Sequence, residues 1–221
     1  MNFIKISKKF QSNNRSINVI NDMSIEIPKG EIILINGSSG IGKSTLLNII
    51  GCLLIPDDGF VKFEGEKINL REDNTEQFRI NNFSYVFQDF NLLPEFNVYQ
   101  NLLIPIYIKN LNNNESERKI NNLLKYMNIE DLKFSYPNML SQGEKQRVSF
   151  LRSLISNQDY IIADEPTGNL DEINTKIILE LIVNINKDFK KTFVIASHDK
   201  EFSKIANKTF LIKNGNLIRQ K

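Results

Sequence analysis

The glycine-rich segment at residues 37–44 constrains the fold of this chain more than any other feature. It reads Gly-Ser-Ser-Gly-Ile-Gly-Lys-Ser and fits the phosphate-binding pattern Gly-x-x-x-x-Gly-Lys-Ser/Thr. A short apolar run at 31–35 precedes it, and residues 43–51 carry apolar side chains at helical spacing. This order predicts a buried strand, a loop and a helix. Because such a loop points several backbone N–H groups and a helix N-terminus at one anion, the segment predicts a nucleotide phosphate site.

Two side chains of this loop carry specific expectations. Lys43 is expected at the exposed mouth of the loop, as a mobile charge for the β and γ phosphates, and the Ser44 hydroxyl is expected on Mg²⁺. The residues expected to bind ATP here are Gly37, Ser38, Ser39, Gly40, Ile41, Gly42, Lys43, Ser44 and Thr45.

Two carboxylates follow a second apolar run. Residues 160–163 predict a buried strand, and Asp164 and Glu165 come directly after it. One carboxylate at a strand end can hold Mg²⁺, and the next can orient or deprotonate an attacking water. An Asp-Glu pair alone is usually a solvated loop. In a chain with a phosphate-binding loop, it indicates hydrolysis of a nucleotide.

Strands and helices alternate along most of the chain. Short strands are predicted in the first third, beginning with residues 2–7, and strand–helix alternation returns after about residue 158, with a strand at 192–196. Between about 89 and 157 the sequence becomes helical in character, with apolar residues at helical spacing over 116–127. The pattern predicts an α/β sheet interrupted by a helical insertion.

A third motif lies inside that insertion. Residues 140–148 read Leu-Ser-Gln-Gly-Glu-Lys-Gln-Arg-Val. Ser141 with Glu144 three residues later predicts a capping box, and a capped helix N-terminus presents a dipole that favours phosphate. The segment resembles the signature motif of the ABC ATPases, whose usual form is Leu-Ser-Gly-Gly-Gln. Ser141 and Gly143 match that form, whereas Gln142 and Glu144 depart from it.

The resemblance extends over nearly the whole chain and implies an architecture. It implies one ABC ATPase domain over residues 1–221, with a P-loop NTPase (RecA-like) core at about 1–88 and 158–221. An antiparallel β subdomain is expected near the N-terminus, and an α-helical subdomain is expected at about 89–157.

The resemblance also assigns four further residues. Gln88 matches the glutamine that touches Mg²⁺ and senses the transmembrane partner, and Asp171 matches the residue that reaches across the dimer. His198, the single histidine, matches the side chain that contacts the γ-phosphate. Phe10 is identified as the aromatic on which adenine stacks, with Phe3 as its rival.

Three groups of site residues follow from the resemblance. The catalytic residues are expected to be Glu165, His198 and Gln88. The residues expected to meet the ATP held by the opposite subunit are Ser141, Gly143, Glu144 and Asp171. The residues expected around Mg²⁺ are Ser44, Gln88 and Asp164.

The function expected from the resemblance is ATP hydrolysis coupled to a membrane complex. Residues 87–94 and 163–171 are similar to the ATPases of lipoprotein release, macrolide export, antimicrobial-peptide handling and cell division. The expected partners are a second ATPase subunit, forming a homodimer on ATP binding, and a separate transmembrane permease. Two roles stay open: extrusion of a peptide, lipoprotein or small amphiphile, and mechanotransmission to cell-wall or cell-division enzymes without moving a substrate.

The stretch after Gln88 is unusually apolar for a loop. Packing inside the helical insertion explains about half of these side chains, and the remainder is expected to form a groove for a cytoplasmic helix of the membrane subunit. The apolar residues are Phe90, Leu92, Leu93, Phe96, Val98 and Tyr99.

Composition excludes several other classes of protein. Lys and Arg total 28 against 26 acidic residues, a balance that argues against a nucleic-acid surface. No segment approaches the ~18–20 apolar residues of a membrane span, and residues 1–10 do not resemble a secretory signal. The chain is therefore expected in the cytoplasm, peripheral to the membrane through its partner.

The lack of an Asn-Lys-x-Asp motif argues against a GTPase, and the single cysteine, Cys52, excludes an internal disulfide.

Overall fold

A computed structural model describes residues 1–12, 15–70, 75–111 and 113–221. In chain order, the elements of the first part are β1 (Asn2–Ser12), β2 (Arg15–Glu26), β3 (Ile32–Asn36), α1 (Lys43–Ile50), β4 (Asp58–Phe63), β5 (Glu66–Ile68), α2 (Thr75–Asn82) and β6 (Phe83–Val86). Three helices follow: α3 (Val98–Ile108), α4 (Asn113–Tyr126) and α5 (Gln142–Ile155). The last elements are β7 (Tyr160–Asp164), α6 (Glu172–Phe189), β8 (Thr192–Ala196), α7 (Phe202–Ile205), β9 (Lys208–Lys213) and β10 (Asn216–Arg219).

The larger sheet has the strand order β10-β9-β3-β8-β7-β6. Its pairs β9–β3, β3–β8, β8–β7 and β7–β6 are parallel, and β10 closes one edge as an antiparallel hairpin with β9. The inner strands are continuous apolar runs because both of their faces are covered. The carboxyl ends of β3, β8, β7 and β6 therefore lie side by side along one edge of the sheet.

Alternation along β3 sorts its side chains into two cores. Ile32 and Leu34 belong to a core with α6 and the helices between β6 and β7. Ile33 and Ile35 belong to a second core with α1 and the smaller sheet. The parallel sheet is thus the middle layer of three, and the period of two that defines a strand decides which layer each residue contacts.

The smaller sheet is antiparallel, as expected for the N-terminal region, with the order β2-β1-β4-β5. Gly59 is required where β4 passes β1, since a Cβ there would lie 2.5 Å from the carbonyl oxygen of Lys5 and its φ is +93°. The close approach lets β4 pair with β1 and close the layer over α1.

The helices α3, α4 and α5 lie between β6 and β7 in the chain, where the sequence predicted helical structure. Asn97 and Gln100 form a capping box at the start of α3. Leu102 of α3, Ile120 and Leu124 of α4, and Leu151 of α5 pack in one buried cluster. Among the described residues, no helix combines the length and apolar character that a membrane crossing needs.

Candidate functional site

The sheet edge gathers the expected site residues. The loop at 37–42 follows β3, Glu165 follows β7, His198 follows β8, and Gln88 follows β6. Because these strands are neighbours in the order β3-β8-β7-β6, segments that are more than 100 residues apart in sequence meet at one place. This edge is the position at which parallel α/β sheets bind ligands.

The phosphate-binding loop depends on glycine for its shape. Gly42 precedes α1 with φ +111°, and a Cβ on it would lie 2.8 Å from Cγ1 of Val19. A Cβ on Gly37 would lie 2.8 Å from Cγ2 of Ile41. Ser39 and Gly40 are exposed, so the loop opens to solvent. A side chain at either tight position would displace the backbone donors from the ligand.

Lys43 is buried, and the expectation that it lies at an exposed mouth is wrong. Its side chain is 7% exposed, and Nζ donates to the carbonyl oxygen of Gly37 at 3.0 Å and of Ser38 at 3.4 Å. Nζ also lies 3.3 Å from Oε1 of Glu165. The ammonium folds back because the loop carbonyls and a carboxylate satisfy its charge inside the loop.

Asp164 has the character of a cation ligand. Its Oδ1 is buried with no hydrogen-bond partner among the described residues. Burial raises the pKa of Asp164, and a hydrogen bond from Ser44 opposes this rise. Within the described ranges, no three His, Cys, Asp or Glu side chains are grouped to hold a metal by themselves. A buried carboxylate oxygen without a donor, beside a serine hydroxyl, fits a Mg²⁺ whose other ligands include phosphate oxygens.

Glu165 lies at the centre of a polar cluster. Its Oε2 accepts from Oγ of Ser197 at 3.1 Å and lies 3.0 Å from Nδ1 of His198. Burial alone would raise the pKa of Glu165, but the bonds and charges of His198 and Lys43 outweigh it and hold the pKa below its ordinary value. The side chain is therefore a carboxylate at neutral pH. Its φ of +42° is uncommon for a residue other than glycine and is typical of functional sites.

Gln88 contacts the segment that precedes α6. A Cβ on Gly168 would lie 3.1 Å from Nε2 of Gln88, and Nδ2 of Asn169 donates to the Gln88 carbonyl oxygen at 3.1 Å. Asp171 is the N-cap of α6 and is exposed. The structure thus brings Gln88 together with the segment that carries Asp171.

Ser141 and Glu144 form the capping box that the sequence predicted. Oε2 of Glu144 accepts from the Ser141 amide at 2.7 Å and from the Ser141 hydroxyl at 2.8 Å, and the Glu144 amide donates to Oγ of Ser141. These bonds lower the pKa of Glu144. Gln142 is exposed in the first turn of α5, so its side chain has room where the usual motif has glycine.

The signature segment is not part of the cluster around Glu165. Ser141 and Glu144 bond to each other, and a Cβ on Gly143 would meet the side chain of Asn174 on α6. In the described part of the chain, the hydrogen bonds and ion pairs of Lys43 and Glu165 do not involve these residues. Ser141 is therefore exposed at the start of α5, apart from the loop at 37–42 of the same chain, whereas Gly143 is buried.

Phe10, not Phe3, is accessible to a ligand. Phe3 is 1% exposed and packs in the core under the small sheet, whereas Phe10 is 41% exposed. Phe10 pairs with Ile17 of β2, and Val19 on the same face of β2 contacts the loop at Gly42. The exposed ring is thus carried by the same pair of strands that touches the phosphate-binding loop.

Two polar residues at these surfaces were not predicted from the sequence. Ser197, which bonds Glu165, directly precedes His198 at the end of β8, so its position could have identified it. Asn174, which touches Gly143, carries no local signal because the contact joins two helices that are far apart in sequence.

Comparisons with known proteins identify the family. The family model described as ABC transporter matches residues 20–168, which include the phosphate-binding loop, the signature segment and the Asp164–Glu165 pair. The chain belongs to the ABC transporter ATP-binding family. It is an ATP-binding cassette ATPase.

Relatives match this cassette along most of its length. The ABC transporter ATP-binding protein YtrE of Bacillus subtilis is 39% identical over 211 residues, covering 95% of this chain and 90% of that protein. The lipoprotein-releasing system ATP-binding protein LolD of Cytophaga hutchinsonii is 37% identical, covering 92% and 93%. The dimeric bacterial ABC transporter cassette MJ0796 superposes with a TM-score of 0.89 at 32% identity, covering 100% of this chain and 98% of that one. MJ0796 in a post-hydrolysis state with ADP and Pi superposes with a TM-score of 0.89 at 30% identity and equal coverage.

Proposed function

We propose that two copies of this cassette close head to tail around ATP and that closure drives a membrane subunit. One observation carries the proposal: each chain displays a phosphate-binding surface and, apart from it, the signature segment at Ser141–Gly143. A complete site needs both surfaces, so a second copy must supply the segment that the first cannot bring to its own loop. The solved dimer of the similar MJ0796 cassette supports this arrangement.

Within the closed site, Lys43 and Glu165 exchange partners. In the structure they neutralise each other at 3.3 Å. Phosphate oxygens of ATP take over the Lys43 ammonium, and Glu165 is then free to accept a proton from the attacking water. His198, 3.0 Å from Glu165, holds the transferring phosphate. Ser44, Gln88 and Asp164 would hold Mg²⁺, which supplies positive charge to neutralise the phosphates.

The wider role is assigned from the relatives. LolD is named for lipoprotein release, which favours extrusion of a lipoprotein, peptide or small amphiphile by the complex. The cassette works on the cytoplasmic face of the membrane as one domain, with a core at about 1–88 and 158–221 and a helical insertion at about 89–157. Purification of the native complex tests this role. A membrane subunit that opens a path for a lipid-linked or amphiphilic cargo supports extrusion, whereas one that only contacts cell-wall enzymes contradicts it.

A groove beside Gln88 is the docking surface that we assign to the membrane subunit. It has a volume of about 260 Å³, and its apolar lining includes Phe87, Pro105 and Ile108. Arg79 and Arg152 also line it, and no acidic side chain among the described residues does so. We therefore commit to one occupant, a short helix of the membrane subunit that carries apolar residues and at least one carboxylate.

The apolar stretch after Gln88 flanks this groove and does not line it, since none of its six apolar residues is among the lining residues. Phe90 and Val98 are buried, whereas Leu93 and Phe96 are 44% and 40% exposed. Arg152 joins the stretch to the groove, since its guanidinium donates to the carbonyl oxygens of Phe90 and Asn91.

Ile108→Glu and Phe96→Glu should each abolish co-purification with the membrane subunit and leave ATP affinity unchanged. Ile108 is 60% exposed in the groove, and a carboxylate there repels an acidic helix and removes an apolar contact. Ile218→Glu is the matched control, because Ile218 is 47% exposed on β10 at the far edge of the sheet. Retention of the membrane subunit by both variants would place the docking surface elsewhere.

Phe10→Ala should weaken ATP binding about 5- to 150-fold, the loss that corresponds to ~1–3 kcal/mol of stacking on a base. Phe10→Tyr keeps the ring and should bind nearly as the wild type does. Phe134→Ala is the control for loss of an exposed aromatic, since Phe134 is 68% exposed in the helical insertion. Calorimetric titration with ATP measures the affinities. An unchanged affinity in Phe10→Ala would remove this residue from the site.

A further inference from the structure

Asn174 packs directly on the backbone of the signature segment. A Cβ on Gly143 would lie 2.2 Å from Oδ1 and 2.8 Å from Cγ of Asn174. Both distances are shorter than any side chain tolerates. A side chain at position 143 would therefore force the Asn174 amide to move, whether or not phosphate approaches from another subunit.

The Asn174 side chain is also held from its other side. Oδ2 of Asp171 accepts from Nδ2 of Asn174 at 2.9 Å, and Oδ1 of Asp171 accepts from the Asn174 amide at 2.8 Å. The amide group thus has its nitrogen on Asp171 and its oxygen against Gly143. To make room for a side chain at 143, Asn174 would have to rotate and give up its side-chain bond to the N-cap of α6.

We propose that Asn174 is a positioning residue that holds the signature segment in a fixed position relative to Asp171. The inference rests on the proposed function, in which Ser141–Gly143 and Asp171 both reach the ATP of the opposite subunit. Through Asn174 the N-terminal ends of α5 and α6 move as one body, so that both arrive at the second site in a fixed relative position.

The same series of contacts extends from Asp171 to Gln88, which lies beside the groove. Asn169, two residues before Asp171, donates to the carbonyl oxygen of Gln88, and Gln88 packs against Gly168. A displacement of Gln88 by a docked helix is therefore passed through the segment 168–171 to Asn174 and then to Gly143.

A double-mutant cycle on the nucleotide-free protein tests the contact. Gly→Ala in a helix normally stabilises, but Gly143→Ala should lower the melting temperature by about 2–4 °C or more. Introduced into Asn174→Ala, the same change should leave the melting temperature unchanged or raise it, because the clashing amide is gone. An equal decrease in both backgrounds would overturn the inference. This arm does not depend on dimer formation.

A second arm tests positioning in the dimer. In a Glu165→Gln background, Asn174→Asp should raise the dissociation constant of the ATP-bound dimer about tenfold or more, since two carboxylates then face each other at 171 and 174. ATP affinity at low protein concentration should not change. Asn184→Asp is the control, because Asn184 is exposed on the same helix. Equal dimer affinities for Asn174→Asp and Asn184→Asp would contradict the positioning role. If Glu165→Gln alone fails to dimerise with ATP, the proposed function is contradicted instead. The melting temperatures of the double-mutant cycle still test the contact between Asn174 and Gly143.

Discussion

Glu165→Gln is expected to reduce ATP hydrolysis about 10²- to 10⁴-fold, the usual worth of a positioned general base. Glutamine keeps the size of the side chain and can still accept from Ser197, but it cannot take a proton from water. The low pKa that His198 and Lys43 impose on Glu165 means that the acceptor form is present at neutral pH in the wild type. Release of phosphate under saturating ATP measures the loss.

Two further variants separate the roles around Glu165. Asp164→Asn should also stop hydrolysis, but by weakening Mg²⁺ binding, so the defect should lessen as Mg²⁺ is raised. His198→Ala should be slower than the wild type and faster than Glu165→Gln. If Glu165→Gln hydrolyses ATP at close to the wild-type rate, water activation belongs to another residue, and His198 is next in line.

Lys43→Ala is expected to weaken ATP binding at least about 100-fold. Each hydrogen bond between a charged donor and a phosphate contributes ~1.5–3 kcal/mol, and this ammonium serves both the β and the γ phosphate. The buried position of Lys43 adds a second effect, since its removal leaves Oε1 of Glu165 without the cation 3.3 Å away. Titration with a fluorescent ATP analogue measures the affinity.

The control for Lys43→Ala must exclude misfolding, because the side chain is only 7% exposed. A melting curve close to that of the wild type shows that the loop retains its support. Lys213→Ala removes an exposed lysine and should bind ATP normally. Wild-type affinity in a well-folded Lys43→Ala protein would contradict the assignment of this loop.

Local patterns predicted the elements that surround the site. The strand Thr192–Ala196 has the bounds that the sequence suggested, because a strand buried on both faces is a continuous apolar run. The capping box of α5 was also visible, since its two partners are three residues apart. Such features depend on neighbours along the chain, which a single sequence displays.

Features that depend on distant contacts were not visible. No helix was predicted at Thr75–Asn82, because α2 is short and none of its residues is buried, so its apolar periodicity is weak. Strand β1 continues to Ser12, beyond the predicted residues 2–7, because pairing with β2 supports its polar end. The burial of Lys43 depends on Glu165, more than 100 residues away in sequence, and only the fold brings the two together.

The mass of Glu165→Gln in solution, measured by light scattering with and without ATP, tests the central claim most directly. With hydrolysis blocked and one negative charge removed near the γ-phosphate, ATP should hold two chains together. The expected mass is near twice 25.6 kDa with ATP and near 25.6 kDa without it. Ser141→Arg in the same background should stay monomeric while still binding ATP, because only the surface offered to the other subunit is changed. A Glu165→Gln protein that binds ATP, does not hydrolyse it and remains a monomer at all concentrations would contradict a site built from two subunits.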